Sequence, residues 1–256
     1  MKPNTVVLLA AGLGARLRPL TATLPKALVS CAGWPLLSYD LAFARRALAP
    51  GGRIVVVAGY HEDLVAEFLE LEAPDVRMVI NPDFEKANIL SVAAGVRALA
   101  PQDDFLLMNV DHIYPLAFAD RFTAATGDVV CATDFDRTLV ADDMKVALDG
   151  ARRVIRISKK LTEFDCGYIG MTLVRPAGVA AWRDSFTAVL AARPDNGVAE
   201  DVVQALADSG RPASICDLSG LGWLEVDTLA DLEIAEEQLM ADQDFLHRTW
   251  DPDPGR

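Results

Sequence analysis

Two hydrophobic periods alternate along the first half of the chain. Short apolar runs at Thr5–Ala10, Arg53–Ala58, Val76–Ile80 and Phe105–Val110 are separated by segments with apolar residues at helical spacing, over Pro35–Leu48, Glu62–Leu71 and Ile89–Leu99. Runs such as TVVLLA and FLLMNV have no polar face, so they predict parallel strands buried on both sides, with crossover helices covering each face of the sheet. After Asp128 the pattern shortens to DVVCAT, KVALDG, RRVIRIS and CGYIGMTLV. The Asp149-Gly150 step between two of these segments predicts a hairpin and hence an antiparallel excursion. Helices return over 177–192 and 198–209, and a last one runs from Thr228 or Asp231 to Met240, where Thr228 suits the cap and Asp231 the helix dipole. The predicted fold is α/β, a Rossmann-like three-layer α/β/α sandwich with a mixed, mostly parallel sheet. Residues 1–240 read as one domain, and 241–256, with Phe245, Trp250 and DPDPGR, as a loose tail.

Charge adds a constraint. The 24 Lys and Arg against 37 Asp and Glu leave a net charge of −13, which argues against a nucleic-acid partner because affinity for a polyanion rests on clustered cations. In so acidic a chain, an anionic ligand must sit where the few Lys and Arg gather. Cys31, Cys131, Cys166 and Cys216 have neither zinc spacing nor a C-x-x-C pair and read as unpaired thiols of a reducing cytosol. Gly12 and Gly14 break the one signal-like run, and no run reaches the roughly 18 residues of a membrane helix. A cytoplasmic protein with no membrane span is expected.

The first strand runs into Ala11-Gly12-Leu13-Gly14-Ala15-Arg16, followed by Leu24-Pro25-Lys26. A glycine-rich turn after a buried strand lets backbone amides approach phosphates, and Arg16 and Lys26 add the local charge. The dinucleotide fingerprint would need a glycine where Leu17 stands, and the Walker pattern is absent. Over its whole length, however, LLAAGLGARLRPLTATLPKALVSCAGWPLLSY resembles the opening signature of the sugar-phosphate nucleotidyltransferase family. The resemblance implies that Ala10, Gly12, Gly14 and Arg16 surround a nucleoside triphosphate and that Lys26 reaches the α-phosphate under attack.

Three later segments extend the resemblance over nearly the whole chain. Asp111, in NVDHIY, and Asp227, in LEVDT, stand where strands end, the place where open α/β sheets bind ligands. Matched to the family pattern they look like a carboxylate pair for Mg²⁺, a hard cation that bridges to phosphate. Lys145 and Lys159, on adjacent short strands, are expected to hold the acceptor's dianionic phosphate; for an amine acceptor, Tyr114, Phe164, Tyr168, Trp182 and Trp223 could supply an aromatic cage and Asp165 the carboxylate beside it. The family carries a further Asp near Tyr168, which this chain lacks.

Within the family, the Asp-His-Ile-Tyr run, the I-x-K element at Lys159 and the stretch NPDFEKANILS resemble the inositol-1-phosphate cytidylyltransferases, which implies CTP as donor and a phosphorylated small acceptor. The same stretch, with Gly167-Tyr168-Ile169-Gly170, also looks like the phosphocholine and aminoethylphosphonate cytidylyltransferases. Asn88 and Ser91 are placed to read the cytosine edge, or Asn88 to cap a helix. Sugar-1-phosphate transfer with another nucleotide, and a catalytically silent nucleotide-binding subunit, are the remaining alternatives. Homo-oligomerisation is left open.

Overall fold

The computed structural model describes residues 1–249, and its centre is a nine-stranded sheet. The strands are β1 (Thr5–Leu9), β2 (Arg53–Ala58), β3 (Arg77–Ile80), β4 (Phe105–Asn109), β5 (Val129–Asp134), β6 (Lys145–Leu148), β7 (Val154–Ser158), β8 (Cys166–Val174) and β9 (Ser214–Asp217). Their order is β7-β6-β8-β4-β1-β2-β3, with β5 pairing β8 and β9. All strands run one way except β7 and β8. The hairpin expected at Asp149-Gly150 joins β6 to β7, and Asp149 fixes it by accepting from the amides of Ala151 and Arg153.

Every residue of β1 is buried, and its alternation divides the core in two. Val6 and Leu8 face an apolar cluster with α1 (Leu36–Ala47), α2 (Glu62–Glu72) and α4 (Leu116–Ala124). Val7 and Leu9 face a second cluster with α3 (Asn88–Arg97), α5 (Val179–Ala192) and α6 (Ala199–Asp208). Burial on both faces is what a continuous apolar run requires, and it sandwiches the sheet between two helical layers. Gly95 on α3 permits the close approach, because a Cβ there would lie 2.6 Å from Val7 Cγ1.

A third, smaller cluster sets the position of the site. Leu17, Val29, Leu36 and Tyr39 pack with Ile113, Leu224, Val226, Leu232 and Leu239, so the loop after β1 rests on α7 (Leu229–Ala241). A two-stranded ribbon of His112–Ile113 with Leu224–Glu225 ties the same region together. Where the sequence predicts a loose segment, Gln243–Thr249 forms helix α8, and Phe245 is buried in this third cluster. The expectation for Trp250 lies outside the described residues. All four cysteines are buried free thiols, and burial pushes Cys31, Cys131 and Cys166 up to about 12. Among the described residues no helix is long and apolar enough to cross a membrane.

Candidate active site

Two cavities meet beyond the C-terminal ends of β1 and β4. The first, about 400 Å³, lies under the glycine-rich loop and is lined by Ala10, Gly12, Gly14, Arg16, Lys26, Asn88, Ser91 and the carboxylates Asp111 and Asp227. The second, about 230 Å³, is bounded by His112, Arg137, Asp142, Lys159, Tyr168, Glu200, Trp223 and Glu225. Arg16, Asn88, Asn109, Asp111 and Asp227 line both. A group passing from one cavity to the other must cross these residues.

The loop is shaped by Gly14, whose φ of +60° is the left-handed conformation that favours glycine. A Cβ there would also lie 2.9 Å from Cβ of Lys26. The backbone thus turns directly over Lys26, helped by Thr21, whose hydroxyl donates to the Gly14 carbonyl at 2.7 Å.

Lys26 is the centre of the charge arrangement. Its side chain is 11% exposed, and its ammonium lies 3.0 Å from Asp111 Oδ2 and in contact with Asp227 Oδ1. Burial on its own would favour the neutral amine, but the two carboxylates raise its pKa above the ordinary lysine value. Burial likewise works against ionised Asp111, yet Lys26 and His112 hold its carboxyl well below the usual range. His112 Nδ1 donates to Asp111 at 2.6 Å, fixing that carboxylate from the side opposite the nucleotide loop. Asp227 is set by its helix. Thr228 caps α7 by accepting from the Asp231 amide, while Asp231 accepts from the amides of Thr228 at 2.8 Å and Asp227 at 3.2 Å.

Arg16 bridges the cavities, donating to Asp227 at 2.5 Å and to Asp142 at 2.6 Å. Lys159 reaches the same Asp142 at 2.8 Å and lines the second cavity. Asn88 is the first residue of α3 and does not cap it; its Oδ1 accepts from the Ala199 amide and so joins α3 to α6. Ser91 accepts from Asn81 at 3.0 Å inside the first cavity's wall.

Two expected acceptor ligands are placed elsewhere. Lys145 is 6% exposed, and its ammonium donates to the carbonyls of Val140 (2.6 Å), Asp143 (3.1 Å) and Lys159 (3.2 Å). With its three donors directed at backbone, it organises the 140–143 loop that carries Asp142 and has none left for a phosphate. Asp165 is exposed, accepts from the Leu148 amide at 2.7 Å and lines neither cavity. Their neighbourhood in sequence points to the site, whereas the fold turns Lys145 onto the 140–143 loop and the Lys159 carbonyl, and Asp165 onto the end of β6. Trp223, one of the aromatics named for an acceptor cage, does line the second cavity, whereas Arg137, Asp142 and Glu225 are residues that reading misses. The only signal for Glu225 is its place two residues before Asp227.

This placement separates the two lysines experimentally. Under the donor and acceptor roles that the family resemblance implies, Lys159→Ala is expected to raise the acceptor KM by about tenfold and to leave CTP binding unchanged, since it removes one charge from the second cavity only. Lys145→Ala is expected to lower stability by about 1–3 kcal/mol, the worth of the charged hydrogen bonds it makes to backbone carbonyls. An unshifted melting temperature for Lys145→Ala, or a CTP affinity that collapses in Lys159→Ala, would contradict the placement.

Asp40, on α1, is 1% exposed, and neither carboxylate oxygen has a protein hydrogen-bond partner among the described residues. Burial pushes its carboxyl well above the ordinary value of 3.8. The unfolded chain therefore releases this proton near 3.8 while the folded chain keeps it, and stability falls as pH rises from there towards the folded pKa. Asp40→Leu should be about 1–3 kcal/mol more stable at neutral pH, with the gain shrinking as pH falls towards 4. Denaturant titrations of both proteins at several pH values decide this, and a gain that does not vary with pH would refute it.

Residues 6–209 match the MobA-like NTP transferase domain. Among curated proteins, the chain is 34% identical over 238 residues to a "Bifunctional IPC transferase and DIPP synthase" of Rubrobacter xylanophilus, covering 91% of this chain and 51% of that protein. It is 34% identical over 172 residues to a "2-aminoethylphosphonate cytidylyltransferase" of Lancefieldella rimae, covering 62% of this chain and 61% of that one. The chain thus spans about half the length of the first relative and under two thirds of the second. Among solved structures, the inositol-1-phosphate CTP transferase of T. maritima superposes with a TM-score of 0.79 at 18% identity, covering 100% of this chain and 98% of that one. The CTP:phosphocholine cytidylyltransferase of Streptococcus pneumoniae gives 0.75 at 21%, covering 92% and 98%. At those identities the likeness is one of fold. Together with the family match over most of its length, the glycine-rich loop turned over Lys26 and the two strand-end carboxylates identify this chain as a member of the MobA-like NTP transferase domain family.

Proposed function

We propose that this protein transfers a cytidylyl group from CTP to a phosphorylated small acceptor, inositol 1-phosphate first among them, and releases pyrophosphate. The observation that carries the reading is the meeting of Arg16, Lys26, Asp111 and Asp227 at the passage between the two cavities. Charge is concentrated where the α-phosphate and the acceptor phosphate would meet.

The chemistry asks little of acid–base groups. A phosphomonoester has a second pKa of about 6 and is mostly dianionic at neutral pH. One of its oxygens forms a bond to the α-phosphorus, and the bond from that phosphorus to the pyrophosphate oxygen breaks on the opposite side, with the electron pair leaving on pyrophosphate. No proton moves. His112 therefore holds Asp111 in place and need not act as acid or base. Lys26 and Arg16 neutralise charge that builds on the transferring group, the main contribution a protein makes to such a step.

Two carboxylates close enough to share one ammonium are an oxygen-donor pair suited to Mg²⁺, which keeps several waters and needs few protein ligands. Among the described residues no cluster of three or more His, Cys, Asp or Glu that could hold a metal occurs. Bound by Asp111 and Asp227, Mg²⁺ would supply charge neutralisation to the triphosphate.

A second reading, a phosphocholine or aminoethylphosphonate acceptor, has the indole of Trp223 beside Glu225 in its favour. Pyrophosphate release from each of the four nucleoside triphosphates, against inositol 1-phosphate, glucose 1-phosphate, phosphocholine and aminoethylphosphonate, tests the proposal. Release with CTP and inositol 1-phosphate is expected. No release with CTP and any acceptor would overturn it.

A further inference from the structure

One wall of the second cavity is an aromatic surface with a cation already on it. The guanidinium of Arg137 lies 4.4 Å from the ring centroid of Trp223 and 3.2 Å from Glu225. His112 stacks on the same indole at 5.2 Å and on Tyr114 at 5.4 Å. The indole N–H donates to Asp134 at 2.5 Å. An aromatic face with carboxylates beside it is the arrangement that binds ammonium groups. In this protein that arrangement is filled from within.

We propose that Arg137 determines acceptor specificity: as an internal cation seated on Trp223 and Glu225, it excludes cationic acceptors and offers its remaining N–H groups to the hydroxyl oxygens of a neutral, polyhydroxy acceptor. The inference rests on the cytidylyltransferase reading and deepens it. A guanidinium has five N–H donors in a planar fork, and among the described residues the ion pair of Arg137 with Glu225 engages one side of that fork. The side chain is 35% exposed, and it lines the second cavity, so the other donors are within reach of a ligand there. A trimethylammonium group entering the same space would meet like charge and an indole face already occupied. Arg137 stands on the loop after β5, between Asp134 and the segment carrying Asp142. Between Arg137 and Lys26 stand Glu225, His112 and Asp111, so the CTP KM is measured beside the acceptor's.

The experiment compares the parent with Arg137→Met, which keeps the length and removes the charge, and Arg137→Lys, which keeps the charge. Acceptor kcat/KM is measured at saturating CTP for inositol 1-phosphate and phosphocholine, and each acceptor is titrated calorimetrically into each protein without CTP. Arg137→Met is expected to move the ratio of the two kcat/KM values at least tenfold towards phosphocholine, a change of about 1.4 kcal/mol. The shift should appear in the acceptor KM, with the CTP KM unchanged, and Arg137→Lys should keep the parent's order. A ratio within twofold of the parent in folded Arg137→Met, or equal losses for both acceptors, would overturn the assignment. If the parent turns over no acceptor, the cytidylyltransferase reading fails and the titrations still decide about Arg137. Phosphocholine affinity that rises in Arg137→Met supports its excluding role, and affinity that does not rise refutes it.

Discussion

Alanine at Asp111 or at Asp227 is expected to reduce turnover by at least about 10²-fold while the protein remains folded. Both side chains are partly open, 24% and 20% exposed, at the ends of elements whose cores lie elsewhere. Neither truncation cuts a cavity into an apolar cluster. Each removes one of the two carboxylates that hold Lys26, and with it one of the two oxygen donors proposed for Mg²⁺. The variants differ in a second respect that makes the test sharper. Asp227→Ala also frees Arg16, whose guanidinium then has Asp142 alone, whereas Asp111→Ala strips His112 of its acceptor. The first should raise the CTP KM as well, and the second should raise the acceptor KM. Steady-state rates with a circular-dichroism melt for each variant provide the check. Turnover within a few-fold of the parent in either folded protein would remove the carboxylate pair from the mechanism.

Lys26→Ala carries the second large effect, a fall in kcat of about 10²- to 10³-fold that is the same for every acceptor. The reason is position. Lys26 lines the first cavity and not the second, so on the proposed reading it acts on the group being transferred, whose charge is greatest in the transition state. An interaction felt there lowers kcat and kcat/KM together. The substitution also leaves Asp111 and Asp227 facing one another without the ammonium between them, and part of the loss will be that repulsion. Lys26→Arg separates the contributions, because it restores the charge but not the compact ammonium that fits between two carboxylates. A loss that differs tenfold between inositol 1-phosphate and phosphocholine would place Lys26 on the acceptor side instead.

Much of the fold was legible because its signals are local. The apolar runs of β1, β2 and β4 admit few states other than doubly buried strands, and Asp149-Gly150 and the Thr228…Asp231 cap are decided within a few residues. The glycine-rich loop with Arg16 and Lys26, and Asp111 and Asp227, were weak signals singly and became legible only as parts of a longer string that resembles the nucleotidyltransferase family. Helix α4, strand β9 and helix α8 were not legible. Leu116–Ala124 and Ser214–Asp217 have mixed patterns that become regular only against α1 and β5, and Phe245 is drawn into the third cluster by a surface made from distant segments.

The acceptor side belongs to tertiary structure almost entirely. Sequence neighbourhood pointed to Lys145, Lys159 and Asp165, and only Lys159 faces the cavity. The 140–143 loop and the end of β6 engage the other two through backbone groups, and no local pattern encodes which of two neighbouring lysines a carbonyl cluster will claim. The second cavity is instead built by Arg137, Asp142, Trp223 and Glu225, which come together from separate loops. Local pattern thus determined most strands of the sheet and the glycine-rich turn, while the roles proposed for Arg16, Lys26, Asp111 and Asp227 came from the family resemblance. Which groups meet the acceptor was decided by long-range packing, because that wall is assembled from residues up to 88 positions apart, Arg137 and Glu225, whose contact no short stretch of chain can specify.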